Sequence, residues 1–144
     1  MNACAKQIPI QGSASVPASA DPTATPIATL GPLPKDGAWA ITGTVTVVDT
    51  DAVPQRGGTR SMVVFYPQFS GKSIAGAVTP LDTYTTTPMG SQPQDGGVLG
   101  FGSVIPTPAI VFSGGQAQLA VTGIANQNLT WSWNLALDTV GLPT

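Results

Sequence analysis

Apolar and polar residues alternate with a period of two along much of the chain after residue 37. In Trp39–Val48 the odd positions are Trp39, Ile41, Gly43, Val45 and Val47, and the even ones are Ala40, Thr42, Thr44, Thr46 and Val48. Such alternation predicts a strand with one face buried and a Thr-rich face outward. Gly43, in the apolar row, marks a bulge or a place where a bulky side chain crosses. The pattern is cleanest in Leu129–Leu137, where Leu129, Trp131, Trp133, Leu135 and Leu137 share one face and Thr130, Ser132, Asn134 and Ala136 the other. Tryptophans bury more area than any other side chain. Trp39, Trp131, Trp133 and Leu135 are therefore the predicted core anchors.

Further strands follow from shorter signals. Arg60–Phe69 is apolar on both faces through Met62-Val63-Val64-Phe65-Tyr66 and predicts a central strand. Ser73–Val78 and Val98–Ile105 are weaker candidates. Ala109–Phe112 precedes a Ser113-Gly114-Gly115 turn, and Gln116–Ile124 alternates through Ala117, Leu119, Val121 and Gly123. Asn126-Gln127-Asn128 reads as a tight hairpin connection into the last strand. The Pro- and Thr-containing stretch Thr79–Gly97 reads as a long loop, of the kind that is functional or forms an interface. Six to eight short strands over residues 37–144 predict an all-β body, an antiparallel β-sandwich or small barrel.

Residues 1–36 have a different character. Pro9, Pro17, Pro22, Pro26, Pro32 and Pro34 fall there, and Lys6 and Asp21 are the only charges in residues 1–34. Proline fixes φ and removes a donor, which disfavours both helix and central strand. Disordered tails stay soluble through charge, which this segment lacks. With Ile8, Ile10, Val16, Ile27, Leu30 and Leu33 spaced along it, it reads as an extended arm laid on another surface, each aliphatic finding a small pocket. Ordering such an arm costs about 1 kcal/mol or more per residue, so it is expected to be mobile until it meets a partner.

Composition narrows the function. The 144 residues include five Lys and Arg, seven Asp, no Glu and no His, for a net charge of -2. Five scattered cations cannot supply the phosphate contacts that nucleic-acid affinity requires. The lack of His removes the commonest general base and metal ligand, and with it any Ser-His-Asp or Cys-His arrangement. No apolar run approaches the ~20 residues that span a bilayer. The opening Met1-Asn2-Ala3-Cys4-Ala5-Lys6-Gln7-Ile8-Pro9 has no basic-then-apolar leader. One cysteine, Cys4, cannot form an intrachain disulfide and reads as an inert thiol. A chain made and assembled in a cytoplasm is expected, with no cofactor and no metal.

The chemistry-bearing candidates are few. Gly71-Lys72-Ser73 resembles the end of a phosphate-binding loop, but the glycine required five residues before Gly71 is Tyr66; a solvated lysine in a hairpin turn is the better account. Asp49 and Asp51 offer two carboxylates that could hold a hard cation, though no third acid is local and turn chemistry accounts for the pair. Asp82 and Asp138 are the remaining candidates for a carboxylate pair. Arg56 and Arg60, in Arg56-Gly57-Gly58-Thr59-Arg60, form a basic loop that could meet a carboxylate on a partner subunit. Asn128-Leu129-Thr130 matches a glycosylation acceptor by chance.

The Pro/Ala/Thr arm, the uncharged run Ile41-Thr42-Gly43-Thr44-Val45-Thr46-Val47-Val48 and the closing Gln116–Leu137 segment together resemble small structural proteins of tailed-bacteriophage virions. Capsid decoration (cement) proteins are the nearest kind. The resemblance implies a non-enzymatic protein that binds and stabilises a capsid shell, with its arm along neighbouring subunits. It also implies major capsid or other virion proteins as partners, a homo-oligomer (most often a trimer), and residence in the virion. A tail, baseplate, collar or fibre-attachment subunit is the alternative within the same class. A carbohydrate-binding module, with Trp39, Trp131 or Trp133 stacking on sugars, is the alternative from another, and a small enzyme using an Asp pair is the third.

Overall fold

The computed structural model describes residues 4–17, 24–50, 62–86, 108–124 and 127–141. They form eight strands: β1 (Cys4–Val16), β2 (Thr25–Pro32), β3 (Gly37–Asp49), β4 (Met62–Ile74), β5 (Ala77–Thr86), β6 (Ala109–Ser113), β7 (Gln116–Val121) and β8 (Leu129–Gly141). One sheet has the order β1-β8-β3-β4-β5 and the other β2-β7-β6. Every strand pairing is antiparallel. The two sheets pack face to face as a sandwich.

The period-two rows become the inner face of the large sheet. Trp39, Ile41, Val45 and Val47 of β3 are buried, as are Leu129, Trp131, Trp133, Leu135 and Leu137 of β8 and Phe65 and Phe69 of β4. From the small sheet Leu30, Ile110, Ala117, Leu119 and Val121 join the same cluster. Trp39 meets Phe112 of β6 at a centroid distance of 5.1 Å, and Phe65 stacks near Trp131 at 6.5 Å. The four predicted anchors, Trp39, Trp131, Trp133 and Leu135, are all in this core.

The register also shows which way each backbone group points. The β3–β4 ladder lacks only the pairs Gly43–Pro67 and Thr44–Tyr66. Both require a hydrogen bond from the N–H of residue 67, which proline does not have. Odd-numbered residues of β3 therefore exchange hydrogen bonds with β4, and even-numbered ones with β8. The same alternation continues into β1: its even-numbered residues bond to β8, and its odd-numbered residues turn their backbone groups away. Gly43 is not at a bulge. Its φ of 137° and position opposite Leu135 bring it so close to β8 that a Cβ would collide with the Asn134 carbonyl. Backbone, not a bulky side chain, occupies the space.

Several expectations are corrected. Within the predicted arm, residues 1–36, the described strands are not free: β1 pairs along its whole length with β8, and β2 pairs with β7. Leu30 and Leu33 lie in the common core at 1% and 8% exposure, so residue 36 is not a boundary between two bodies. Five of the six prolines are compatible with strands: Pro9 faces outward on edge strand β1, Pro26 and Pro32 lie in bulged edge strand β2, and Pro17 and Pro34 follow strand ends, while Pro22 lies outside the described residues. The weak strand Ser73–Val78 is a hairpin, with Ala75 and Gly76 both at positive φ between β4 and β5. Lys72 lies exposed in β4, just before that turn. The first part of the expected loop Thr79–Gly97 is strand β5; residues 87–97, and the strand predicted at Val98–Ile105, lie outside the described residues. The Gln116–Leu137 segment is no hairpin, because β7 and β8 belong to different sheets and are linked through a single Ile124–Gln127 bridge.

Candidate interaction surface

The outer face of the large sheet is built from the polar halves of the same alternations. Across the register Gln11, Asn134 and Thr44 lie side by side, as do Ser13, Ser132 and Thr46. Cross-strand hydrogen bonds tie this face together: Gln11 Nε2 donates to Asn134 Oδ1 at 3.2 Å, Ser15 and Thr130 hydroxyls are 3.3 Å apart, and Thr130 Oγ1 donates to Thr50 Oγ1 at 3.1 Å. Such lateral bonds hold the side chains before any partner arrives, which lowers the ordering cost of contact. On the four strands β1, β8, β3 and β4 the outward row contains two charges, Asp138 and Lys72. Met62 and Tyr66 project from β4 onto the same face and are exposed. The result is a broad surface of hydroxyls, amides and methyls with only those two charges in the outward row of the four strands.

The edge of that sheet is β1. Ala5, Gln7, Gln11, Ser13 and Ser15 are exposed, and their N–H and C=O groups point away from β8; Pro9 presents its carbonyl alone.

Two clefts flank the Leu33-Pro34 link between the sheets, of about 250 and 310 Å³. The first includes Lys6, Ile8, Pro32 and Thr139, the second Lys35, Val78, Gly115 and Gln116. Among the described residues, neither lining holds a carboxylate or a thiol.

Asp49 is buried at the end of β3, and Asp51 lies outside the described residues. No group of three His, Cys, Asp or Glu side chains occurs among the described residues. Asp138 and Asp82 stand in one register row with β3 and β4 between them. Three strand spacings of about 4.8 Å put their backbones roughly 14 Å apart. Arg56 and Arg60 lie outside the described residues. Of the six aliphatics assigned to partner binding, Leu30 and Leu33 are in the core, Ile10, Val16 and Ile27 pack against it, and Ile8 is 36% exposed. All three tryptophans are buried, which leaves no indole face for a sugar. Sequence reasoning recognised the Thr-rich face but not the edge residues Gln7, Gln11 and Ser13, since pairing to β8, over a hundred residues away in the chain, has no local signal.

Comparison of the chain with protein-family models, with curated proteins and with solved structures finds no match.

Proposed function

We propose that this protein is a non-enzymatic structural subunit of a virus particle, of the capsid decoration type, that binds and stabilises the shell. The observation that carries the reading is the broad, laterally bonded and nearly uncharged outer face formed by β1, β8, β3 and β4. A face of this kind has little charge to keep neighbours apart and presents many donors and acceptors for close subunit packing. Its partner is a major capsid or other virion protein, and its site of action is the virion. Attachment runs through the sheet face rather than through a loose arm, because residues 4–16 and 25–32 are strands of the body.

The test is whether purified protein coats capsids that lack it and raises their melting temperature. Thr44→Lys together with Thr46→Lys puts two charges on the face and is expected to abolish coating while the isolated chain stays folded. Failure of the unaltered protein to coat capsids or to co-purify with particles refutes the reading.

A further inference from the structure

The sandwich has four sheet edges, and three of them carry the features that prevent pairing with another chain. Strand β2 contains Pro26 and Pro32 and two register shifts. Strand β5 contains Pro80 and a register shift opposite Ser70 and Gly71. Strand β6 is five residues long. Strand β1 is different: thirteen residues in unbroken register, with one charge, Lys6, and one proline. Exposed edges of that length are usually blunted by charge, bulges or cover.

We infer that β1 pairs antiparallel with β1 of a second copy across a two-fold axis at Ile10, joining two five-stranded sheets into one of ten strands. Ile10 is the midpoint of Cys4–Val16, so this register uses the full strand. The outward-turned odd-numbered residues then face one another as Ala5–Ser15, Gln7–Ser13 and Pro9–Gln11, each pair uncharged. Counting both halves and subtracting the two donors that Pro9 lacks leaves about ten main-chain hydrogen bonds.

The even-numbered side chains are self-complementary in the same register. Lys6 faces Ala14 of the second copy, and the two lysines end up eight residues apart along the strands. At about 3.4 Å per residue that is roughly 27 Å, well beyond the distance over which exposed charges repel in ordinary salt. Ile8 faces Gly12 of the second copy, and Gly12 is the residue over which the Trp133 ring lies. The exposed Ile8 side chain thus covers the rim of an indole at the open end of the core. Closed two-fold pairing also consumes both edges, so it does not propagate into fibres.

Sedimentation or light scattering on the purified full chain reads the outcome, and the inference does not depend on what the protein attaches to. The expected mass at high micromolar concentration is twice the 14.5 kDa of the chain. Gln11→Pro removes an outward N–H and leaves the β8 ladder intact, so it is expected to give a monomer with an unchanged far-ultraviolet spectrum. Ile10→Cys in a Cys4→Ala background places the new thiols of the two copies opposite each other at the axis, in a non-hydrogen-bonded pair with Cα atoms about 4.5 Å apart. Oxidation is expected to trap a covalent dimer. A wild-type monomer, a trimer, a dimer indifferent to Gln11→Pro, or no cross-link at position 10 overturns the inference.

Discussion

The contact between Gly12 and Trp133 offers the sharpest test of the packing. A Cβ placed on Gly12 falls 2.6 Å from Trp133 Cζ2 and 2.8 Å from Cε2. Carbon atoms rest at about 3.5–4.0 Å, so Gly12→Ala creates an overlap of about 1 Å. Trp133 is 8% exposed and held in the core row of β8, so it cannot swing into solvent to relieve the clash. Strand β1 lies at the sheet edge and absorbs part of the strain by shifting. Overpacking of this kind costs about 1–3 kcal/mol. For a chain of this length each kcal/mol lowers the melting midpoint by roughly 3 °C. Urea unfolding at fixed protein concentration, followed by tryptophan emission, measures the loss, and the remaining indoles keep the signal in a Trp133→Leu background. In that background the indole is gone and the added methyl of Gly12→Ala finds space. A double-mutant cycle is therefore expected to return a coupling of about 1–2 kcal/mol, opposite in sign to the single-site cost. A Gly12→Ala protein as stable as wild type, or one whose loss is undiminished in Trp133→Leu, refutes the placement of the ring over the glycine.

Four further outcomes follow from the same structure. Ala75 has φ of 51° in the β4–β5 turn, so Ala75→Gly is expected to stabilise by about 0.5–1 kcal/mol in thermal unfolding. Asp36 Oδ1 accepts a hydrogen bond from the Ala75 N–H at 2.9 Å, and Asp36→Ala is expected to cost about 1 kcal/mol; an unaffected midpoint contradicts a role for this bond in holding the turn. Leu30→Ala is expected to cost about 2–5 kcal/mol because Leu30 lies in the shared core, whereas a loose arm predicts no change. Tryptophan emission is expected to be blue-shifted and unquenched by oligosaccharides, since all three indoles are buried; quenching by a sugar supports a carbohydrate-binding module instead.

The strands that pair side chains with the core were legible because burial imposes a period of two wherever one face is dry. Trp39, Ile41, Val45 and Val47 in β3 and Leu129 to Leu137 in β8 follow that rule without exception, and the Thr-rich outer face is its complement. The Gly114-Gly115 turn was legible too, because both residues sit at positive φ in a two-residue hairpin. Other turns were hidden: Ala75 adopts positive φ against its own preference, held by an aspartate 39 residues away.

What residues 4–16 and 25–32 do was decided by tertiary structure alone. Spaced aliphatics separated by prolines fit an arm on a foreign surface and an edge strand on the chain's own sheets equally well. The choice turned on whether β8 and β7 had a free side, which no local pattern reveals. The same holds for the change of sheet between β7 and β8 and for the edge position of β1. Alternation along one strand states which side chains are buried; strand order depends on hydrogen bonds between residues far apart in the chain, and their selectivity comes from the packed whole.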